Sequence, residues 1–206
     1  HDMHTAMMLG AAKLLKEQLS SVLPIADQNF SKFDMSFYST RPDGRSGISP
    51  RENMEYNLGE CKTYAAKFSK DSPNLLLFGS TGLGKTFLST CIAEAVSARG
   101  FSVAYDTAIN IVAAYETIKF GSGDGEAAAE RAARYERADL LIIDDMGTEM
   151  GTAFTVSALY NLINNRLMAK RPMIINTNLL PETLSEKYSP AVASRLLGEF
   201  LPLRFF

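Results

Sequence analysis

The order of apolar and polar positions divides the chain into a helical start, an aromatic connector, and a long alternation of strands and helices. Ala6, Met7, Met8, Ala11, Leu14, Leu15 and Leu19 recur at helical spacing, with Lys13, Lys16 and Glu17 between them. That spacing predicts a helix over 5–23, ended by Pro24. Phe30, Phe33, Phe37 and Tyr38 then stand among polar residues, and Pro42, Gly44, Gly47 and Pro50 mark loop. This reads as an irregular linker strapped down by its aromatics. Ser49-Pro50-Arg51-Glu52 opens a new helix: Ser at the N-cap, Pro in the first turn, Glu soon after. It runs to about Phe68, with Met54, Leu58, Cys61, Tyr64, Ala65 and Phe68 on one face. The division is therefore 1–48, helix and aromatic linker, and 49–206, a core.

From residue 74 the period changes. Leu75-Leu76-Leu77-Phe78 is a short continuous apolar run, as a strand covered on both faces requires. Further strands are predicted at 101–105, 140–143 and 173–175, and helices at 85–99, 108–119, 126–137, 153–169 and around 190–197. Gly121 to Gly125 is a break, and 176–189 reads mainly as a polar turn. Strands alternating with helices predict a parallel α/β sheet.

Composition narrows the chemistry. The chain has 206 residues, 46% apolar and 21% charged, enough for one core without disulfides or a structural metal. A net charge of −2 excludes a strongly basic nucleic-acid coat and lends no support of its own to DNA binding. Cys61 and Cys91 form no C-x-x-C pair and read as buried thiols in a reducing compartment. The histidines are His1 and His4, so no Ser/His/Asp triad can be built, and His1-Asp2-Met3-His4 has the look of an expression remnant. No apolar run nears the roughly 18 residues of a membrane span and no signal peptide is visible, so a cytoplasmic location is expected.

The strongest chemical signal is Gly79-Ser80-Thr81-Gly82-Leu83-Gly84-Lys85-Thr86, followed by Phe87. It fits G-x-x-x-x-G-K-[ST] at every fixed position, after an apolar strand and before a helix. A polyphosphate needs many donors aimed at one small volume. Glycines let successive backbone N–H groups curl inward, and the following helix adds its N-terminal amides. Lys85 brings a movable cation to the phosphates, and the Thr86 hydroxyl can ligate Mg2+. A ligand-free glycine turn has no use for Lys then Thr at those offsets.

Leu140-Leu141-Ile142-Ile143-Asp144-Asp145 ends a strand in two carboxylates. Ligands of parallel sheets sit at the carboxyl ends of strands. Asp144 is the candidate to hold Mg2+ together with Thr86, and Asp145 to orient or deprotonate an attacking water. A solvated acid pair is the plain alternative, weakened by the phosphate loop in the same chain. Asn176-Thr177-Asn178 places amides after the next strand. Asn178 is the first candidate for a γ-phosphate or water contact and Asn176 the second, against an ordinary turn role. Arg195 on the last helix is a candidate to reach a neighbour's nucleotide. Arg166 rivals it, and a surface ion pair is the alternative for both.

These residues resemble the AAA+ helicase-loader ATPases, the DnaC and DnaI loaders with their IstB-like relatives. The resemblance runs from about Phe30 to the end. It is carried by the aromatic segment Phe30 to Tyr38, the phosphate loop with Phe87-Leu88-Ser89, and Leu141-Ile142-Ile143-Asp144-Asp145-Met146-Gly147-Thr148-Glu149. Tyr160 to Arg166, Ile174 to Leu179 and Ser194-Arg195-Leu196 complete it. It implies a P-loop NTPase fold of the AAA+ (ASCE) type, a five-stranded parallel sheet flanked by helices with the phosphate-loop strand central. It implies ATP with Mg2+, Asp144 and Asp145 as Walker B acids, Asn178 at sensor 1, and Arg195 as arginine finger. It also implies ATP-driven self-association and, as partner, a hexameric replicative helicase to be placed on single-stranded DNA, or a transposase in IstB-like relatives. Asp where the family usually has Glu implies hydrolysis that is slow without a partner. The family's C-terminal lid with its sensor-2 Arg is expected to be absent or truncated, since the chain stops at Leu203-Arg204-Phe205-Phe206. Residues 1–29 are too short for a separate partner-binding domain. Two other classes remain on the residues alone: a small-molecule P-loop kinase, with Arg131, Arg134 and Arg137 as its lid, and a nucleotide-dependent adaptor that does not hydrolyse.

Overall fold

A computed structural model describes residues 28–206. The helix expected over 5–23, with His1 and His4, lies outside the described residues. Five strands form one sheet: β1 (Asn74–Gly79), β2 (Val103–Thr107), β3 (Leu140–Met146), β4 (Met173–Thr177) and β5 (Phe200–Phe205). The order is β2-β3-β4-β1-β5, and every neighbouring pair is parallel. Among the described residues seven α-helices connect and cover it: α1 (Pro50–Lys67), α2 (Lys85–Ala98), α3 (Ala108–Phe120), α4 (Gly125–Arg137), α5 (Ala153–Met168), α6 (Pro181–Lys187) and α7 (Pro190–Glu199). Among the described residues no helix is long and apolar enough to cross a membrane.

Strand alternation divides the core in two. Leu75, Leu77, Leu140, Ile142 and Ile174 pack against α1 and α2. Leu76, Phe78, Leu141, Ile143 and Ile175 pack against α3, α4, α5, α6 and α7. After β1 the chain crosses one face; after β4 it crosses the other. The β1–β4 junction is thus a switch point, where a parallel sheet opens a crevice at its carboxyl end.

The α1 start is as the sequence predicts: Ser49 N–H donates to Glu52 at 2.7 Å and Glu52 N–H returns to Ser49 Oγ at 3.2 Å. Two elements differ from the sequence reading. Residues 181–187 are a helix of two turns inside the expected polar turn. The chain's last residues form β5 beside β1, with Pro202 tolerated because this is an edge strand. Asn53 and Asn57 of α1 donate to the Arg204 carbonyl at 3.0 and 2.8 Å and pin that edge. The Arg-rich segment considered as a kinase lid is α4, packed onto the sheet. Its Tyr135 is buried and donates to Asp106 at 2.6 Å, which leaves no lid to move.

Candidate active site

The phosphate loop spans the turn from β1 into α2. Gly79 has φ +140, and a Cβ there would sit 2.0 Å from the Phe205 carbonyl oxygen, so the close approach of β5 demands glycine. Lys85 donates from Nζ to the Gly79 and Ser80 carbonyls, each at 2.7 Å. Burial holds its ammonium below the usual lysine range, while the charges of Asp145 and Asp144 pull the other way. A cation held by two neutral carbonyls can exchange them for anionic oxygens at a gain.

Asp144 is the centre of the site. It belongs to the same alternation as Leu140 and Ile142 and so faces α2. Thr86 Oγ1, 58 positions away in the chain, lies 3.1 Å from both its oxygens. Tyr105 O–H from β2 donates to Oδ2 at 2.5 Å, and Asn176 Nδ2 from β4 donates to Oδ1 at 2.8 Å. Asn176 also donates to Ser89 Oγ at 2.7 Å. Burial, then the Asp144 charge, raises the Tyr105 phenol and keeps it a donor. Two strands and a helix thus aim one polar side chain each at one carboxylate, which a third strand carries. Tyr105 and Ser89 were not picked out from the sequence; the period-two alternation of β2 and the helical spacing from Thr86 were the available signals.

Asp145 follows at φ +50, beside a register shift of β3 against β4 between Ile143 and Met146. Such a bulge re-aims a side chain. Asp145 is exposed, and its carboxylate takes no hydrogen bond among the described residues. Its pKa is raised, by burial first and the Asp144 charge second, against the pull of Lys85.

Beside the loop lies a cavity of about 470 Å³, walled by Phe33, Tyr38, Leu83, Gly84, Phe87 and Phe206, among others. Phe33 stacks on Tyr38 with centroids 5.8 Å apart and meets Phe87 edge-on at 5.4 Å. Tyr38 O–H donates to the Leu83 carbonyl at 3.1 Å. The aromatic segment is therefore built onto the phosphate loop.

The remaining candidates lie apart from this centre. Asn178 is one residue past β4, half-buried and off the Asp144 network. Arg195 on α7 is partly exposed, 4.0 Å from Glu199. Arg166 is fully buried, at 0% exposure. Its guanidinium donates to the carbonyls of Tyr135 at 2.8 Å, Glu136 at 3.3 Å and Pro172 at 2.8 Å. Burial, then the Arg171 charge, lowers its pKa to about 10. Arg166 is thus neither a finger nor a surface ion pair; it clamps the end of α4 to the start of β4.

The residues fit Mg2+ with a nucleotide. Thr86 offers a hydroxyl and Asp144 a carboxylate. The carbonyl oxygen of Asn176, 1% exposed, has no hydrogen-bond partner. That is the sparse hard-oxygen set that suits Mg2+ when phosphates complete its shell.

Comparison with known proteins decides the family, since residues 59–197 match the IstB-like ATP binding protein family. The chain belongs to that family. It is accordingly an AAA+ P-loop protein that binds ATP, of a family of ATPases. The replicative helicase loader DnaC of Escherichia coli K12 is 25% identical over 175 residues, covering 78% of this chain and 71% of DnaC. A putative ATP-binding protein in insertion sequence from Mycobacterium tuberculosis is 27% identical over 129 residues, covering 62% of this chain and 50% of that protein. In fold, the crystal structure of the DnaC helicase loader superposes with a TM-score of 0.68 at 16% identity, over 87% of this chain and 97% of that one. AMPPCP-bound DnaA from Aquifex aeolicus gives 0.66 at 20% identity, over 86% and 50%.

Proposed function

We propose that this chain is an ATP-hydrolysing switch that loads a replicative helicase. The contact of Thr86 with Asp144 carries the ATPase part: it joins the phosphate loop and the acidic strand end in one preformed corner. Backbone amides from Gly79 to Thr86 bind the phosphates, and Lys85 leaves the Gly79 and Ser80 carbonyls for the β- and γ-oxygens. Thr86 and Asp144 hold Mg2+, which neutralises phosphate charge when bound. Asp145 accepts a proton from the attacking water as its oxygen bonds to the γ-phosphorus and the bond to the bridging oxygen breaks. Asn176 fixes Asp144, Asn178 at the strand tip contacts the γ-phosphate, and Arg195 serves a neighbouring subunit's nucleotide. The aromatic cavity takes the adenine base.

The similarity to DnaC over most of both chains supports the loader reading, with a hexameric helicase as partner and single-stranded DNA as cargo. The family match supports a second reading, a helper of a transposase. Two measurements test these readings. Lys85→Ala should weaken ATP binding by about a hundredfold or more in titration calorimetry; unchanged affinity removes the nucleotide reading. ATP-dependent co-elution with the replicative helicase supports loading, and co-elution with a transposase alone supports the helper.

A further inference from the structure

The loop after β3 carries a second polar network, which the hydrolytic scheme leaves unused. Glu149 is buried. One of its oxygens accepts from Gly147 N–H at 2.9 Å and the other from the Tyr188 hydroxyl. Lys187 donates from Nζ to the carbonyls of Gly147 at 2.6 Å and Glu149 at 2.8 Å. Thr148 Oγ1 donates to the Asp145 carbonyl at 2.9 Å. Gly147 has φ +116, and a Cβ there would meet Leu179 at 2.9 Å, so the loop is also wedged against the chain after β4.

Asp145 starts this loop in a left-handed conformation that costs a non-glycine residue energy and persists only where its surroundings enforce it. Asp145 N–H donates to Asp144 Oδ1 at 3.0 Å and its carbonyl accepts from Thr148, while Glu149, Lys187 and Tyr188 fix Gly147 and Glu149 on either side of Thr148. Burying a carboxylate and a phenol together is more than a plain surface loop requires. Only Ser189 separates Tyr188 from α7, and it is itself fixed as N-cap, its Oγ accepting from Val192 N–H at 3.2 Å.

We propose that Glu149, Lys187 and Tyr188 are positioning residues that hold the Asp145 carboxylate at its working angle and tie it to α7, the helix of Arg195. The proposal rests on the reading of Asp145 as the group that acts on water. A displacement of α7 by a docking neighbour reaches the Asp145 loop through hydrogen bonds, with one residue between to absorb it.

The test compares Asp145→Asn, Tyr188→Phe, Glu149→Ala, Glu149→Gln and the pair Asp145→Asn/Tyr188→Phe in the full chain. Melting temperature, ATP affinity, kcat and KM are read for each. Tyr188→Phe and Glu149→Ala should lower kcat about ten- to a hundredfold with affinity and KM within about twofold, since a small misplacement costs turnover rather than binding. Glu149→Gln, which keeps the side chain's shape and an acceptor, should recover part of the loss. The paired variant should turn over no more slowly than Asp145→Asn alone. An additive loss in the pair, or full kcat in Tyr188→Phe while Asp145→Asn is inactive, overturns the positioning role alone. Full turnover in Asp145→Asn overturns the water-activating reading and this proposal with it. Should Glu149→Ala fail to fold, Tyr188→Phe removes one hydroxyl and carries the test unaided.

Discussion

The floor and the rim of the site are built on opposite principles. On the floor, both Asp144 oxygens are engaged by side chains from β2, α2 and β4, and Lys85 is bonded to its own loop. On the rim, among the described residues, the Asp145 carboxylate takes no hydrogen bond and Arg195 lies 4.0 Å from the partly exposed Glu199. A buried polar group without partners costs the fold about 1–3 kcal/mol, so the floor is satisfied from within except at Asn176 Oδ1. The rim groups stay hydrated and available to a nucleotide or a second subunit. A fully bonded carboxylate and a solvent-facing one are thus placed one residue apart.

The comparison can be broken in three ways. The largest effect belongs to Arg195→Ala, which should leave a monomer's ATP affinity intact and lower hydrolysis by the assembly about a thousandfold. Mixing it with Lys85→Ala should restore part of the rate if the finger acts across subunits, and no recovery in any mixture returns Arg195 to a structural role. Arg166→Met sharpens the contrast between the two arginines. It removes the guanidinium donor from the buried Tyr135 carbonyl and leaves those of Glu136 and Pro172 with Arg171 and the Leu141 N–H alone, so it should cost about 1–3 kcal/mol in denaturant melts, far more than Arg195→Ala. Equal stability losses would erase the contrast. The smallest effect is on stability in Asp145→Asn. A carboxyl whose folded pKa is raised costs stability once ionised, above that pKa, and costs nothing where it is protonated in both states. The variant should therefore melt slightly higher than the parent at pH 7, with the gain fading as pH falls through and below the usual carboxylate range.

Much of the floor was legible in the chain. The phosphate loop declares itself by fixed offsets, and β1, β3 and β4 by apolar runs too short for helices. The apolar run alone ends β4 at Ile175 and leaves Asn176 and Asn178 both in the turn beyond it. The strand runs to Thr177, which puts Asn176 in the Ile174 alternation, facing α2 and Asp144. The sequence offers Arg166 as a rival finger or a surface ion pair, because its actual partners are backbone carbonyls, which leave no mark on side-chain pattern. β5 was carried only by the family resemblance: in Phe200-Leu201-Pro202-Leu203-Arg204-Phe205 an edge strand keeps exposed positions and a proline, so no continuous run forms. The Glu149 network escaped because its parts come from a loop and from the end of a seven-residue helix, neither of which has a period.

The wall formed by Phe33 and Tyr38 lies upstream of the stretch that defines the family, yet it borders the same cavity as Leu83 and Gly84. On the proposed reading of that cavity as the seat of the base, contact with the base draws on residues outside the matched stretch as well as on the phosphate loop itself. A change at Phe33 or Tyr38 therefore also bears on the loop, through the Tyr38 bond to the Leu83 carbonyl and the Phe33 contact with Phe87.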